Sequence, residues 1–326
     1  MRKRLSLLYA LIVLAIGAHA YSFESGGIYY NITSSTNMTV EVTYGKNYGA
    51  YVDNIYTIPN QVTYNAKTYY VTAIGSHAFT SCTALGTVDL SQAKHLSSIG
   101  EYAFSGCNGM SRITIPEHVT SIGNYAFSGC MTLSILEIED SKNTLSLGYG
   151  SSKGSNYGLF ADCNLYTFYW GRPLSYNTSY GKSPIANQSH VKNITIGPNV
   201  TTLSAYMFYG NEVLNTIELP STVISLGSHA FDGFRGLTSF TIPEQITAIS
   251  DYAFANCPGL TSFSIPSQVK SIGNYAFSGC PGLTSFTIPG TVTNVGNRAF
   301  EKCKNITSLK FEPGTEVLAL GFTNYY

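Results

Sequence analysis

The chain holds 326 residues, of which 44% are hydrophobic, 13% aromatic and only 11% charged, with 18 basic residues balanced by 18 acidic ones. A charged fraction well below the roughly 25% of ordinary soluble domains, together with 31 Gly and 25 Tyr, excludes a highly charged disordered chain. The balance of charge excludes the basic field that draws in nucleic acid.

Residues 1–20 read as an export signal. Arg2, Lys3 and Arg4 form a positive start, Leu5 to Ile16 an apolar stretch, and Ala18-His19-Ala20 a small-x-small site that places cleavage after Ala20. The apolar stretch is too short for a bilayer core, which takes about 20 residues. No later segment is long and apolar enough to span, and no Cys follows the site for lipid attachment, so the mature chain is expected to be secreted or held at the cell surface without a membrane span. Loss of the signal leaves 15 basic against 18 acidic residues.

Residues 21–73 carry no repeat. Ile28–Thr33 and Met38–Thr43 alternate around Ser34-Ser35-Thr36-Asn37, and Val62–Tyr64 and Thr68–Thr72 flank Asn65-Ala66-Lys67. Both patterns predict β-hairpins. The expected role is a cap over the open end of a repeat array, which such arrays need for solubility.

From residue 74 one unit recurs. SIGNYAFSGC occurs identically at 121–130 and 271–280, and the unit's Phe falls at 79, 104, 127, 160, 208, 231, 254, 277 and 300, the last five 23 residues apart. The 48-residue gap between 160 and 208 hides a unit without the Phe motif, whose strand is Val191 to Ile196. Each unit ends on a Leu-x-x-Ile/Phe-x-Ile segment with the period-two mark of a strand, often closed by a proline such as Pro116 or Pro243 that cannot donate to a ladder. Ten such segments, from Leu85 to Ile306, predict one parallel sheet roughly 45 Å long at about 4.8 Å per strand. Asn124–Ser128, closed by Gly129, predicts about one short helical or 3₁₀-like turn per unit. No unit could bury its Ile, Phe, Cys and Leu alone, so stacking must join them into one core, and residues 74–326 read as a single solenoid array.

The seven cysteines each stand three residues after a repeat Phe, and two units place Asn211 and Phe234 in that slot. One Cys per turn, interchangeable with Phe, predicts a small buried filler rather than a disulfide framework. C-x-x-C ligand spacing for zinc is absent.

The L-x-x-L-x-L-like strand in a short repeat resembles the leucine-rich repeat family. The units IPEHVTSIGNYAFSGCMTL (115–133) and IPSQVKSIGNYAFSGCPGL (265–283) resemble its BspA-like branch of bacterial surface antigens, over roughly residues 74–311. GGIYYNITSSTNMTVEV (26–42) is similar to a lead-in of Bacteroides-type members. The resemblance implies an α/β, mostly β, right-handed superhelix with a concave parallel sheet of about ten strands and short helical or 3₁₀ segments on the convex side. It implies adhesion to host or neighbouring-cell surfaces, and it brings no catalytic residues and no cofactor.

Residues 140–190 lengthen two successive units with Gly, Ser, Tyr and Asn. Tyr149, Tyr157, Tyr166, Tyr169, Trp170, Tyr176 and Tyr180 lie there, including the only Trp. Insertions in repeat proteins map to one face and often bind; equally, these rings could simply pack the longer loops. At the C-terminus, Leu309–Phe322 echoes Leu136–Tyr149 and then stops at Tyr326. Three readings stay open there: a partly exposed last strand, a covering partner or weak dimer, or a truncated natural product.

Motifs for chemistry are absent or misplaced. Gly150-Ser151-Ser152-Lys153-Gly154 fits G-x-S-x-G but sits in a Gly/Ser loop rather than on a strand-to-helix elbow. Gly181-Lys182-Ser183 lacks the preceding glycine of a phosphate loop. His77 and His229 share a slot with Tyr102, Tyr125, Tyr252 and Arg298, which marks a tolerant, half-exposed position and no metal site. Acidic residues are scattered, with no close pair for glycoside hydrolysis.

The candidate working surface is the outward side of the strands. Its C-terminal half is nearly all short hydroxyls (Ser239/Thr241, Ser262/Ser264, Ser285/Thr287), whereas its N-terminal half carries charge and aromatics. Because interface hot spots favour Tyr, Trp and Arg, the expected partner-binding patch is Arg112, Ile135, Glu137, Tyr169 and Trp170. The expected function is non-catalytic binding of a host or microbial surface protein or glycan. A structural spacer and a secreted glycan-acting hydrolase are the alternatives.

Overall fold

The computed structural model describes residues 21–149, 159–181, 183–185, 191–314 and 319–320. The expected export signal, the Gly150–Gly154 motif, Tyr157 and Lys182 lie outside the described residues.

The N-terminal strands are β1 (Phe23–Ser25), β2 (Ile28–Ser34), β3 (Thr39–Thr43), β4 (Ile55–Thr57), β5 (Gln61–Tyr64) and β6 (Lys67–Ile74). Both expected hairpins form: β2 pairs antiparallel with β3, and β5 with β6. The second turns on Asn65 and Ala66, both with positive φ (48° and 59°), as a two-residue hairpin loop requires. Alternation buries Ile28 and Tyr30 on β2 and Val40 and Val42 on β3. The loop between β3 and β4 brings Tyr51 against Phe79, the first repeat phenylalanine, with ring centroids 4.4 Å apart. Its hydroxyl donates to the Thr43 carbonyl (2.6 Å) and accepts from the Tyr29 amide (3.1 Å).

The array then alternates long and short strands: β7 (Thr87–Asp89), β8 (Ser98–Ile99), β9 (Arg112–Ile115), β10 (Ser121–Ile122), β11 (Ile135–Ile138), β12 (Leu145–Leu147), β13 (Thr167–Trp170), β14 (Leu174–Ser175) and β15 (Asn193–Ile196). The sequence predicts one parallel sheet; the structure has two columns. The long strands β9, β11, β13 and β15 pair in parallel, and the short ones continue β6 through β8, β10, β12 and β14. The short column is the Val-x-x-Ile part of the motif, two or three residues per coil, too brief to register as a strand by periodicity. Between the columns the proline opens a turn, with Val119 N–H donating to the Pro116 carbonyl at 3.1 Å. Cap and array share their ladders, since β6 pairs with β8 and β4 with β7.

Among the described residues the third side of the coils is turn rather than helix, one short 3₁₀ segment apart, contrary to the sequence expectation. Tyr102, Tyr125, Tyr252 and Tyr275 have φ near +55° (53°, 53°, 57° and 55°), which breaks any helix after one residue. Alternate amides serve different partners. Tyr102, Phe104 and Gly106 donate to Asn124, Ala126 and Ser128 of the next coil, while Ala103, Ser105 and Cys107 donate three residues back within their own. Among the described residues the one 3₁₀ segment is Thr178–Tyr180.

Ile-Gly in the motif follows from how closely the coils approach. A Cβ on Gly123 would lie 2.5 Å from the Glu101 amide nitrogen and 2.7 Å from the Gly100 carbonyl carbon. Where Ser204 and Ser250 take the slot, each hydroxyl donates to a carbonyl of the preceding coil.

Inside, the repeat phenylalanines stack. Phe79, Phe104, Phe127 and Phe160 lie 5.2–5.3 Å apart with rings within 7° of parallel. A second stack runs from Phe208 through Phe231, Phe254 and Phe277 to Phe300. All seven cysteines are buried free thiols beside these stacks. Cys107, Cys130, Cys163, Cys257, Cys280 and Cys303 each place Sγ 3.0–3.2 Å from the carbonyl of the preceding coil's Phe, which the S–H donates to. The slot therefore selects a small apolar side chain that also carries a weak donor.

Both columns are interrupted mid-array among the described residues. Leu214–Leu219 forms no strand, and the long column resumes at Ser239–Thr241. Asn211, in the Cys slot of that coil, folds its side-chain oxygen back onto the Val213 and Leu214 amides (3.1 and 3.0 Å). Across the long insertion, side chains replace the short ladder: Ser204 donates to Leu174 and Tyr176 to Ala205.

Candidate binding face

The register of the long strands decides which predicted residues share a face. Arg112, Ile135, Thr167 and Asn193 lie side by side in one row, and Thr114, Glu137, Tyr169 and Thr195 in the next. Successive strand residues point to opposite faces, so the intervening Ile113, Leu136 and Phe168 are core. Arg112, Ile135, Glu137 and Tyr169 are thus brought together on three adjacent strands.

Trp170 is not part of this patch, which corrects the sequence expectation. It has the opposite parity to Tyr169, is fully buried, and packs edge-on against Phe208 at 6.5 Å. The unit between Phe160 and Phe208 has no motif Phe, and Trp170 fills the core there. Its indole N–H donates to the Arg172 carbonyl at 2.5 Å. Arg172 is itself buried and donates to the carbonyls of Pro116, Glu117 and Val119 at 2.7–2.8 Å. Burial draws its pKa down, opposed by the Glu139 and Glu117 carboxylates. These two large side chains of the insertion serve packing and loop support.

Glu137 is the hub of the polar contacts. It lies 3.6 Å from the Arg112 guanidinium and accepts from the Thr114 hydroxyl at 3.1 Å. Both partners of the ion pair are well exposed, so it contributes at most about 1 kcal/mol and mainly fixes geometry. Tyr169 donates to Asp140 Oδ2 at 2.8 Å. Partial burial, then the Asp140 bond, then the negative charge of Asp140 and Glu137 raise the Tyr169 phenol above its ordinary pKa.

Three further residues enlarge the face. Tyr166 is 46% exposed beside the 37%-exposed Ile135, and Lys192 sits over the Tyr166 ring at 5.8 Å. Backbone bonds from Tyr166 to Ser134 and from Lys192 to Tyr166 hold them in the row just before the strands. Asp140 stands past the end of β11. Sequence alternation covers only residues within strands, so these flanking positions escaped it.

The face continues differently toward the C-terminus. Ser239, Thr241, Ser262, Ser264, Ser285 and Thr287 are all exposed and add only hydroxyls. On the turn side, the tolerant slot holds half-exposed rings stacked between coils: His77, Tyr102 and Tyr125 at 4.8–5.0 Å, and Tyr206, His229, Tyr252 and Tyr275 at 4.4–4.7 Å. Among the described residues no three His, Cys, Asp or Glu side chains are grouped to hold a metal ion, and no helix is long and apolar enough to cross a membrane.

The family model described as "BspA type Leucine rich repeat region (6 copies)" matches residues 59–180, 143–238 and 178–307. The chain belongs to the BspA-type leucine-rich repeat family. Solved structures similar to it include a leucine-rich cell surface protein of Faecalibacterium prausnitzii (20% identity, 89% of this chain and 94% of that one, TM-score 0.41) and a leucine-rich repeat protein of Bacteroides ovatus (21%, 93% and 92%, TM-score 0.44). The pneumococcal vaccine antigen PcpA is a third (17%, 95% and 89%, TM-score 0.44). No curated protein matches the chain. Within this BspA-type array, the strand-end proline marks where the candidate face is specialised. Pro116, Pro220, Pro243, Pro266 and Pro289 hold that slot on five coils and Ser91 and Glu312 on the two end coils, while Glu139, Gly171 and Gly197 hold it on the three coils around Tyr169.

Proposed function

We propose that the exported chain is a non-catalytic adhesive module that binds a host extracellular or neighbouring-cell surface protein through the outward face of β9, β11, β13 and β15. One observation carries this reading. Exposed and half-exposed aromatic, aliphatic and charged side chains on and just before the strands (Tyr166, Tyr169, Ile135, Arg112, Glu137, Lys192) gather on adjacent coils, while Ser239–Thr241, Ser262–Ser264 and Ser285–Thr287 offer only hydroxyls outward. Tyrosine and arginine anchors ringed by polar groups are the composition that concentrates binding energy.

The test is capture of residues 21–326 on immobilised extracellular-matrix proteins and on a glycan array, beside the double variant Tyr166→Ala/Tyr169→Ala. Capture by a matrix protein, lost in the double variant while the fold is kept, supports the reading. Capture by glycan alone, or capture indifferent to the two tyrosines, overturns it.

A further inference from the structure

We propose that Asp140, seated over Gly171 and Gly197, is a positioning residue that fixes Tyr169 in its binding orientation. The proposal rests on the reading of the face just given and adds how the face is pre-organised.

Tyr169 stands at the centre of the patch, and its hydroxyl donates to Asp140 Oδ2 at 2.8 Å. Asp140 belongs to no strand. It follows Glu139, which occupies the slot where five coils have proline, and Glu139 is held by accepting the Glu117 amide at 2.9 Å. The next two coils leave room for it. A Cβ on Gly171 would lie 2.6 Å from the Asp140 amide nitrogen. A Cβ on Gly197 would lie 2.5 Å from Asp140 Oδ1 and 3.0 Å from the Tyr169 hydroxyl. Contacts that short force a shift, so carboxylate and phenol keep their places because both neighbouring coils are bare at that point. Three successive coils thus lack proline at one slot, and the two glycines among them clear the space that Asp140 occupies.

The consequence is chemical as well as steric. The Tyr169 proton is committed to Asp140, so the phenol presents its ring and its oxygen lone pairs outward. A half-exposed tyrosine without such a partner would have to be ordered on binding, and ordering one side chain weakens association by roughly threefold to tenfold.

Asp140→Ala, Asp140→Asn and Tyr169→Ala separate the roles, with Tyr169→Phe to assign the phenol signal. The first readout is the Tyr169 titration in the free protein. Asp140→Ala lowers the pH at which the phenol ionises, because a hydrogen bond and a negative charge that favour the protonated form are gone. The second is capture on matrix protein, which falls threefold to tenfold in Asp140→Ala and recovers in Asp140→Asn, whose amide oxygen still accepts the phenol proton. An Asp140→Ala variant with wild-type titration or wild-type capture, beside a Tyr169→Ala variant that has lost capture, overturns the positioning role. Wild-type capture by Tyr169→Ala overturns the binding reading instead.

Discussion

Tyr169 and Trp170 are consecutive in the chain and lie on opposite sides of one sheet. The phenol reaches Asp140 on the outward face, while the indole is fully buried against Phe208. Their substitutions should therefore separate cleanly. Trp170→Ala empties the core where the Phe stack is interrupted and should cost about 3–5 kcal/mol. Tyr169→Ala should change stability by about 1 kcal/mol or less, its measurable losses being one exposed hydrogen bond and partial ring burial. Thermal unfolding of the two variants checks this.

The thiols are predicted to be inert in the folded chain. Contact with Cys130 and burial push the Cys107 and Cys163 thiols up, and contact with Cys257 and Cys280 respectively, with burial, does the same for Cys280 and Cys303. The bonds from Cys107 and Cys163 draw the Cys130 thiol down instead, so it is burial of all seven sulfurs that keeps reagents away. A thiol-reactive chromophore should label none of the seven before unfolding and all seven after it. Cys280→Ala removes the donor to the Phe254 carbonyl and leaves a small void, with an expected cost of about 1–3 kcal/mol by denaturant titration.

Two cap tyrosines should respond oppositely to loss of the hydroxyl. Tyr51 makes two hydrogen bonds, so Tyr51→Phe should destabilise by about 1–3 kcal/mol. The Tyr30 hydroxyl is buried without a hydrogen-bond partner among the described residues, so Tyr30→Phe should be neutral or stabilising. Burial raises the pKa of both phenols above the ordinary value of about 10. The unfolded chain therefore loses these protons first as pH rises. Their contribution is complete below about pH 10 and declines above it, by about 1.4 kcal/mol per pH unit for each phenol. Urea unfolding from pH 8 to 11 should show the decline, shallower in Tyr51→Phe than in the wild type.

Gly123→Ala should be costly for steric reasons alone. The added methyl meets backbone of the coil below, which cannot move without its neighbours, and overpacking of this kind costs about 1–3 kcal/mol.

Much of the fold could be read from spacing, because one coil is one unit of sequence. The Phe positions, the Cys three residues later and the strand-end proline all fall where stacking requires. The short column was not readable: Ser121-Ile122 is two residues long and has no period to show. Nor was the turn side, where left-handed Tyr125 interrupts what composition presents as a helical turn. At the site, alternation correctly placed Arg112, Ile135, Glu137 and Tyr169 outward, and it also assigns Trp170 to the interior. Counting Trp170 with the patch gave composition more weight than parity. Asp140 and Lys192 stand outside the strands, where only the stacking of whole coils brings them to the face.

The central claim, that binding is confined to the N-terminal half of the sheet, is tested most directly by placing the same charge at two sites. Ile135→Glu lies between Arg112 and Thr167 on the proposed face, and Ser262→Glu lies on the exposed hydroxyl stretch beyond it. Capture on the matrix protein should be lost in Ile135→Glu and unchanged in Ser262→Glu. Equal retention in both, or loss only in Ser262→Glu, would contradict the account.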